Sequence, residues 1–221
     1  MAAPAPRHRP VPGAWRDAVL AVVGLFLPVS CLGCGAPDRA VCPACRADLA
    51  RRPRRVRLVA GVRLDAAFEY EGLVRTLLLE LKLRGRVDVA ALLGRPTADL
   101  VRLALAASPP GTVVVRVPPS PRGRRRRGFD TVVLLLARGG VRGTRPLRRG
   151  RGGADGQKER TAVERVAATV GTLSAVRFAG RDVVVVDDVV TTGVTMAEAV
   201  RAVRAAGGRV TRCVATASVD S

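Results

Sequence analysis

The chain has 221 residues, 48% of them hydrophobic, with 38 Lys+Arg against 18 Asp+Glu and a formal charge of +20. That apolar content excludes a disordered polyelectrolyte and suffices for one α/β domain plus a small appendage. The longest uncharged apolar run, about a dozen residues from Ala18 to Val29, is interrupted by Pro28, so it falls short of the roughly 18 residues that span a bilayer.

Met1 to Gly13 is rich in Pro and Ala and reads as a disordered tail. Trp15 to Leu27 is apolar enough for a short covered helix. Preceded by Arg7 and Arg9, it also loosely resembles a signal peptide, with Cys31 then inviting a lipoprotein reading. Arg51 to Arg57 is a basic connector, and Leu58 to Phe68 reads as extended or hairpin structure. Leu73, Leu77 and Leu81 place a helix over Tyr70 to Leu83, ended by Gly85. Asp88 is a plausible N-cap for the next helix, broken or restarted at Pro96. Thr112 to Val117 has the look of a buried strand. Pro118 to Arg127 reads as a Pro/Arg loop, Phe129 to Ala137 as a helix, and Gly139 to Gly156 as a mobile loop. Helical spacing returns over Lys158 to Val170. Asp182 to Val186 is an apolar strand ending in Asp187–Asp188. Met196, Ala199, Val200 and Val203 then fall on one helix face, and Arg209 to Ala217 is a further strand. Strand, helix, strand is the βαβ unit of a parallel sheet.

The charge is uneven. Arg116 to Arg160 holds 14 Arg/Lys and 3 acids, whereas Asp182 to Ser221 holds 5 acids and 4 arginines. A basic middle facing a slightly acidic C-terminal element suits a site for a phosphate-rich ligand and a divalent metal. A solvated basic loop is the plainer alternative. Only Lys82 and Lys158 are lysines, so part of the excess reflects an arginine-rich composition. Aromatic residues, at 3%, limit recognition by base stacking.

The most informative stretch is VVVVDDVVTTGVT, Val183 to Thr195. A buried strand delivers Asp187 and Asp188 to the carboxyl edge of a parallel sheet, where open α/β folds bind ligands. The turn Val189, Val190, Thr191, Thr192, Gly193, Val194 and Thr195 follows, with Thr195 opening a helix. Unpaired amides at a helix N-terminus bind phosphate directly, and Gly193 lets the backbone approach an anion. Adjacent carboxylates beside such a site can accept hydrogen bonds from sugar hydroxyls, support Mg²⁺ and stabilise a cationic sugar ring. The alternative is an Asp pair that merely caps the turn.

This stretch resembles the phosphoribosyl-pyrophosphate (PRPP) motif of type I phosphoribosyltransferases. The resemblance implies that Asp187 and Asp188 face the ribose hydroxyls and that Val189 to Thr195 holds the 5′-phosphate. It also implies displacement of pyrophosphate from the sugar C1, with Mg²⁺, through an oxocarbenium-like transition state.

Cys31, Cys34, Cys42 and Cys45 form two CxxC pairs with seven residues between them. That spacing matches a tetrahedral structural Zn²⁺ site, two disulfides or free thiols being the alternative. Cys213 reads as a core residue.

A CxxC pair of pairs ahead of a PRPP motif resembles the ComF family of bacterial competence proteins and the related GntX group. Lys82 to Gly85, Val115 to Pro119, RRRRGFD at Arg124 to Asp130 and Gln157 to Arg165 resemble further family segments. Arg160 and Ala168 depart from its pattern. The resemblance implies a Rossmann-like α/β parallel sheet of the type I phosphoribosyltransferase fold, preceded by a small Cys₄ zinc module. The expected division is a tail and short helix over 1–27, a zinc module and connector over 28–57, and the phosphoribosyltransferase-like domain over 58–221. Arg116, Arg122, Arg124, Arg125, Arg126 and Arg127, with Gln157 and Arg165, are expected on the pyrophosphate side or in a nucleic-acid belt. Two functions follow: a cytoplasmic, at most membrane-peripheral, PRPP-binding transferase, or an accessory factor for DNA uptake that binds single-stranded DNA and a competence helicase.

Overall fold

The computed structural model describes residues 29–150 and 171–219. The tail, the apolar stretch Trp15 to Leu27, the helix expected over Lys158 to Val170, and Gln157 and Arg165 lie outside the described residues. The chain divides into two compact units, Met1–Asp48 and Leu49–Ser221.

In the first unit a bridge between Ser30 and Pro37 closes a small loop. The Cys31 amide donates to the Ala36 carbonyl at 2.7 Å and the Gly35 amide to the Cys31 carbonyl at 2.9 Å. Gly35 makes this turn at φ 77°, where a side chain would be strained. Helix α1 (Pro43–Arg51) starts on the second CxxC pair, and the boundary between the units falls within it.

The second unit is built on six strands. These are β1 (Arg55–Val59), β2 (Val62–Glu69), β3 (Val113–Arg116), β4 (Arg145–Pro146), β7 (Asp182–Val190) and β8 (Arg209–Ser218). Their order is β1-β2-β8-β7-β3-β4, parallel throughout except for the β1–β2 hairpin. Ala60 and Gly61 turn that hairpin, both at positive φ, as a two-residue turn matched to strand twist requires. Two short strands, β5 (Arg148–Arg149) and β6 (Leu173–Ser174), pair beside the sheet.

The helices of this unit are α2 (Gly72–Arg84), α3 (Ala90–Ala106), α4 (Pro121–Arg127), α5 (Thr131–Arg138) and α6 (Val194–Ala205). A parallel sheet buries both faces, which is why β7 is a near-continuous valine run. Val183 and Val185 join Met196, Val200 and Val203 of α6 in one cluster. On the other face α3 lies against β8, where Thr97 Oγ1 donates to Thr216 Oγ1 at 3.1 Å. The architecture is the expected one, α/β with a mostly parallel sheet.

Several local expectations are corrected. α3 runs unbroken through Pro96. The lost hydrogen bond, a cost of about 3 kcal/mol, is offset by the buried face of Leu93, Ala98, Leu100, Val101 and Ala104. Asp88 caps nothing; it sits in a 3₁₀ turn, Val87–Val89, and pairs with Arg86 at 2.8 Å. The Pro/Arg loop contains α4, because Ser120 caps it through the Gly123 amide (3.1 Å) and Pro121 takes the first helical position. The basic connector already holds the first three residues of β1. The glycine-rich stretch after Gly139 carries β4 and β5, with Leu147 buried between them. β7 extends four residues past Val186, so the acid pair lies inside a strand rather than after it. α6 opens at Val194 with Gly193 as its N-cap, one residue before the expected Thr195.

Candidate functional site

β7 and β3 are neighbours, yet their chains leave in opposite directions. β7 continues through α6 to β8, and β3 runs on to β4 at the far edge. A crevice opens at the carboxyl ends where such connections diverge. Its cavity measures about 230 Å³ and is lined by Asp187 and Asp188 together with Pro118, Ser120, Arg127 and Arg149.

The two acids differ. Asp187 is buried, and its Oδ1 accepts the Asp188 amide at 2.7 Å. Burial, with the Asp188 charge adding to it, pushes the Asp187 carboxyl up to about 8. Asp188 is partly exposed, and its Oδ1 accepts from Lys82 Nζ of α2 at 2.8 Å. One acid therefore holds its proton near neutral pH while its neighbour has a cation beside it.

Past the strand the chain turns back on itself. Val189 to Met196 and Asp187 line a recess of about 30 Å³ that shares Asp187, Val189 and Thr195 with the crevice. Gly193 stands at φ 81°. The first α6 hydrogen bond runs from the Ala197 amide to the Gly193 carbonyl at 2.8 Å. The amides of Val194, Thr195 and Met196 thus precede the helical ladder and have no partner within it. Thr191, Thr192 and Thr195 are exposed around them. An amide nest at a helix N-terminus, ringed by hydroxyls, is built for an anion.

Residues 149–220 match the phosphoribosyl transferase domain. The match covers the acid pair, the turn, α6 and β8. No curated protein matches the chain.

The crevice and its turn are completed by residues outside the matched region. Arg57 of β1 donates to the Thr191 carbonyl at 2.8 Å and to the Val219 carbonyl at 3.2 Å, holding the turn from the side. Lys82 reaches Asp188 from α2. Neither was given a site role from the sequence, since each acts on a partner more than a hundred residues away. Arg149 also escaped notice in its glycine-rich surroundings; it faces the crevice and donates to the Pro118 carbonyl at 3.0 Å.

The arginines expected on the pyrophosphate side are dispersed. Arg127 lines the crevice. Arg122, Arg124, Arg125 and Arg126 are exposed on α4 and do not line the crevice. Arg116 is turned away: its Nε meets Asp130 Oδ2 at 3.0 Å and its Nη1 donates to the Thr144 carbonyl at 2.7 Å. Asp130 also caps α5 through the Val133 amide at 3.2 Å.

In the first unit the four sulfur atoms of Cys31, Cys34, Cys42 and Cys45 lie within 4.8 Å of one another. Sulfurs on a tetrahedral Zn²⁺, with bonds of about 2.3 Å, stand about 3.8 Å apart; Cys34 and Cys42 are 3.6 Å apart. The Cys42 and Gly33 amides donate to the Cys31 sulfur at 3.3 and 3.4 Å. Burial raises the Cys31 thiol, but these amides and that of Cys34 outweigh it and bring it down to about 6. Its neighbours Cys42 and Cys34 push Cys45 up to about 12. Four soft donors at this spacing can bind a metal such as zinc, whose charge offsets thiolate repulsion. Among the described residues no helix is long and apolar enough to cross a membrane.

Proposed function

We propose that the crevice binds PRPP or a closely related phosphorylated ribose and that the protein is a ComF-like phosphoribosyltransferase. The observation that carries this reading is the join of an acid pair to an amide-lined turn at the point where the sheet connections diverge. The turn Val189–Thr195 takes the 5′-phosphate, its amides and the α6 dipole supplying the positive end. Asp187 and Asp188 take the ribose hydroxyls. Arg127 and Arg149 flank the pyrophosphate.

In transfer, the bond from C1 to the pyrophosphate oxygen breaks and its electron pair leaves with pyrophosphate. An acceptor lone pair forms the new bond to C1. The Asp188 carboxylate beside the ring favours the cationic character that develops there. Mg²⁺ is a hard cation suited to the carboxylate oxygens present and to phosphate oxygens of the ligand, and when bound it would neutralise phosphate charge. Zinc in the Cys₄ module has a structural role in this reading.

Calorimetric titration with PRPP and Mg²⁺ tests it. Binding at micromolar to millimolar ligand, lost in Asp188→Asn, supports the reading, and no heat at millimolar PRPP contradicts it.

A second reading has its own observation. α4 carries Arg124, Arg125 and Arg126 in succession, each exposed and without an ion pair among the described residues. Such a surface fits a phosphodiester backbone, and the protein would then serve DNA uptake as a single-stranded DNA-binding scaffold. Neutralising six phosphates implies a loss of roughly a thousandfold in affinity from 50 to 200 mM salt. Salt-insensitive binding would contradict it.

A further inference from the structure

We propose that Lys82 is the specificity-determining residue that makes the crevice select a ribose 5-phosphate carrying phosphate at C1. Its ammonium pairs with Asp188 in the structure and transfers to the C1 phosphates when the ribose hydroxyls take its place on the carboxylate. The proposal rests on the phosphoribosyl reading of the crevice.

Four observations lead to it. Lys82 Nζ lies 2.8 Å from Asp188 Oδ1, and both side chains are about one-fifth exposed. The contact is therefore sheltered, yet open to a ligand on one side. Lys82 lines the same crevice as Ser120, Arg127 and Arg149. An ammonium that leaves Asp188 remains inside a cleft where anions gather.

The third observation is the residue type. The chain has 38 Lys+Arg, and only Lys82 and Lys158 are lysines. A guanidinium would grip the carboxylate with a rigid two-pronged fork. An ammonium on four flexible carbons makes point contacts with three rotatable donors, which suits exchange between partners.

The fourth is charge balance. Lys82 and Asp188 form a one-to-one ion pair at 2.8 Å, so the ammonium already has its counter-charge before a ligand enters. A ligand that brings several negative charges at C1 restores balance on its far side only if a cation turns toward it. A ligand without those charges leaves the ammonium competing for Asp188.

The test compares two probes, ribose 5-phosphate and PRPP, by calorimetry with Mg²⁺ on the full chain and its Lys82→Met and Lys82→Arg variants. Melting temperatures confirm that each variant is folded. The expected result is that Lys82→Met weakens PRPP at least tenfold while ribose 5-phosphate binds as well as before or better. Lys82→Arg is expected to recover only part of the PRPP affinity. Equal weakening of both probes in folded Lys82→Met would reduce Lys82 to a prop for Asp188 and overturn the proposal, as would no change in either. Wild-type protein that binds neither probe would overturn the phosphoribosyl reading itself, a result separate from any variant.

Discussion

Arg57 donates a guanidinium N–H to the Thr191 carbonyl at 2.8 Å, tying the first β-hairpin to a turn 134 residues later. The same nitrogen stands 3.1 Å from where a Cβ on Gly193 would sit. The arginine thus occupies the Thr191 carbonyl at the edge of the recess. A hydrogen bond to a charged group contributes about 1.5–3 kcal/mol. Arg57→Ala is expected to weaken ribose 5-phosphate roughly tenfold or more by calorimetry, with the protein still folded. Gly193→Ala, strained at φ 81° and crowded by Arg57, is expected to do the same. Unchanged affinity in both variants would remove the turn from the binding site.

Asp187 links binding chemistry to stability. Its carboxyl is raised to about 8 by burial and by Asp188, against an ordinary value of about 4 in the unfolded chain. Between those values the folded state holds a proton that the unfolded state has released. Stability contributed below pH 4 is therefore lost as pH rises toward 8, with a limiting slope of about 1.4 kcal/mol per pH unit from this group. Thermal melts of wild type against Asp187→Asn, from pH 5 to 8, measure it. The wild-type melting temperature is expected to fall relative to that of the variant. Parallel pH profiles would contradict the burial argument.

The Cys₄ cluster makes a separate prediction. Purified protein is expected to carry one zinc per chain by atomic emission, and Cys34→Ser or Cys42→Ser to lose it. Structural zinc sites derive folding energy from the metal, about 10–16 kcal/mol in isolated peptides. Strong chelation is expected to expose residues 31–45 to proteolysis and to leave the sheet's melting transition in place. Two disulfides in fresh protein, with no zinc, would contradict the metal reading.

Arg116 and Asp130 make a different case. Their contact at 3.0 Å is largely sheltered, with side chains 16% and 13% exposed. Removing one partner strands the other charge and typically costs about 3–5 kcal/mol when the pair is buried. Arg116→Ala is expected to lower stability to denaturant by about 2–4 kcal/mol and to leave PRPP affinity within about twofold. A stable variant with lost PRPP affinity would return Arg116 to the ligand.

The parts legible in the sequence are those where chemistry and local spacing coincide. The valine run, Asp187–Asp188 and the TTG turn are contiguous, so one strand and one helix start place them together. The two CxxC pairs are legible for the same reason. Arg57 and Lys82 were not, because a cation's partner across the sheet leaves no local mark. α4 was hidden by its composition: four successive arginines suggest a solvated loop, although Ser120-Pro121 is a helix start. The length of β7 was missed because two acids look like a strand's end. They remain in the ladder because β8 pairs with β7 as far as Val190.

The central claim is that main-chain amides of the Thr191–Met196 turn hold a sugar phosphate. The most direct measurement is a nitrogen–proton correlation spectrum of labelled protein titrated with ribose 5-phosphate. Large, saturable shifts are expected at the amides of Thr192 to Met196, with smaller ones at Asp188. Saturation with those amides unmoved, and shifts confined to Arg122–Arg127, would contradict the account.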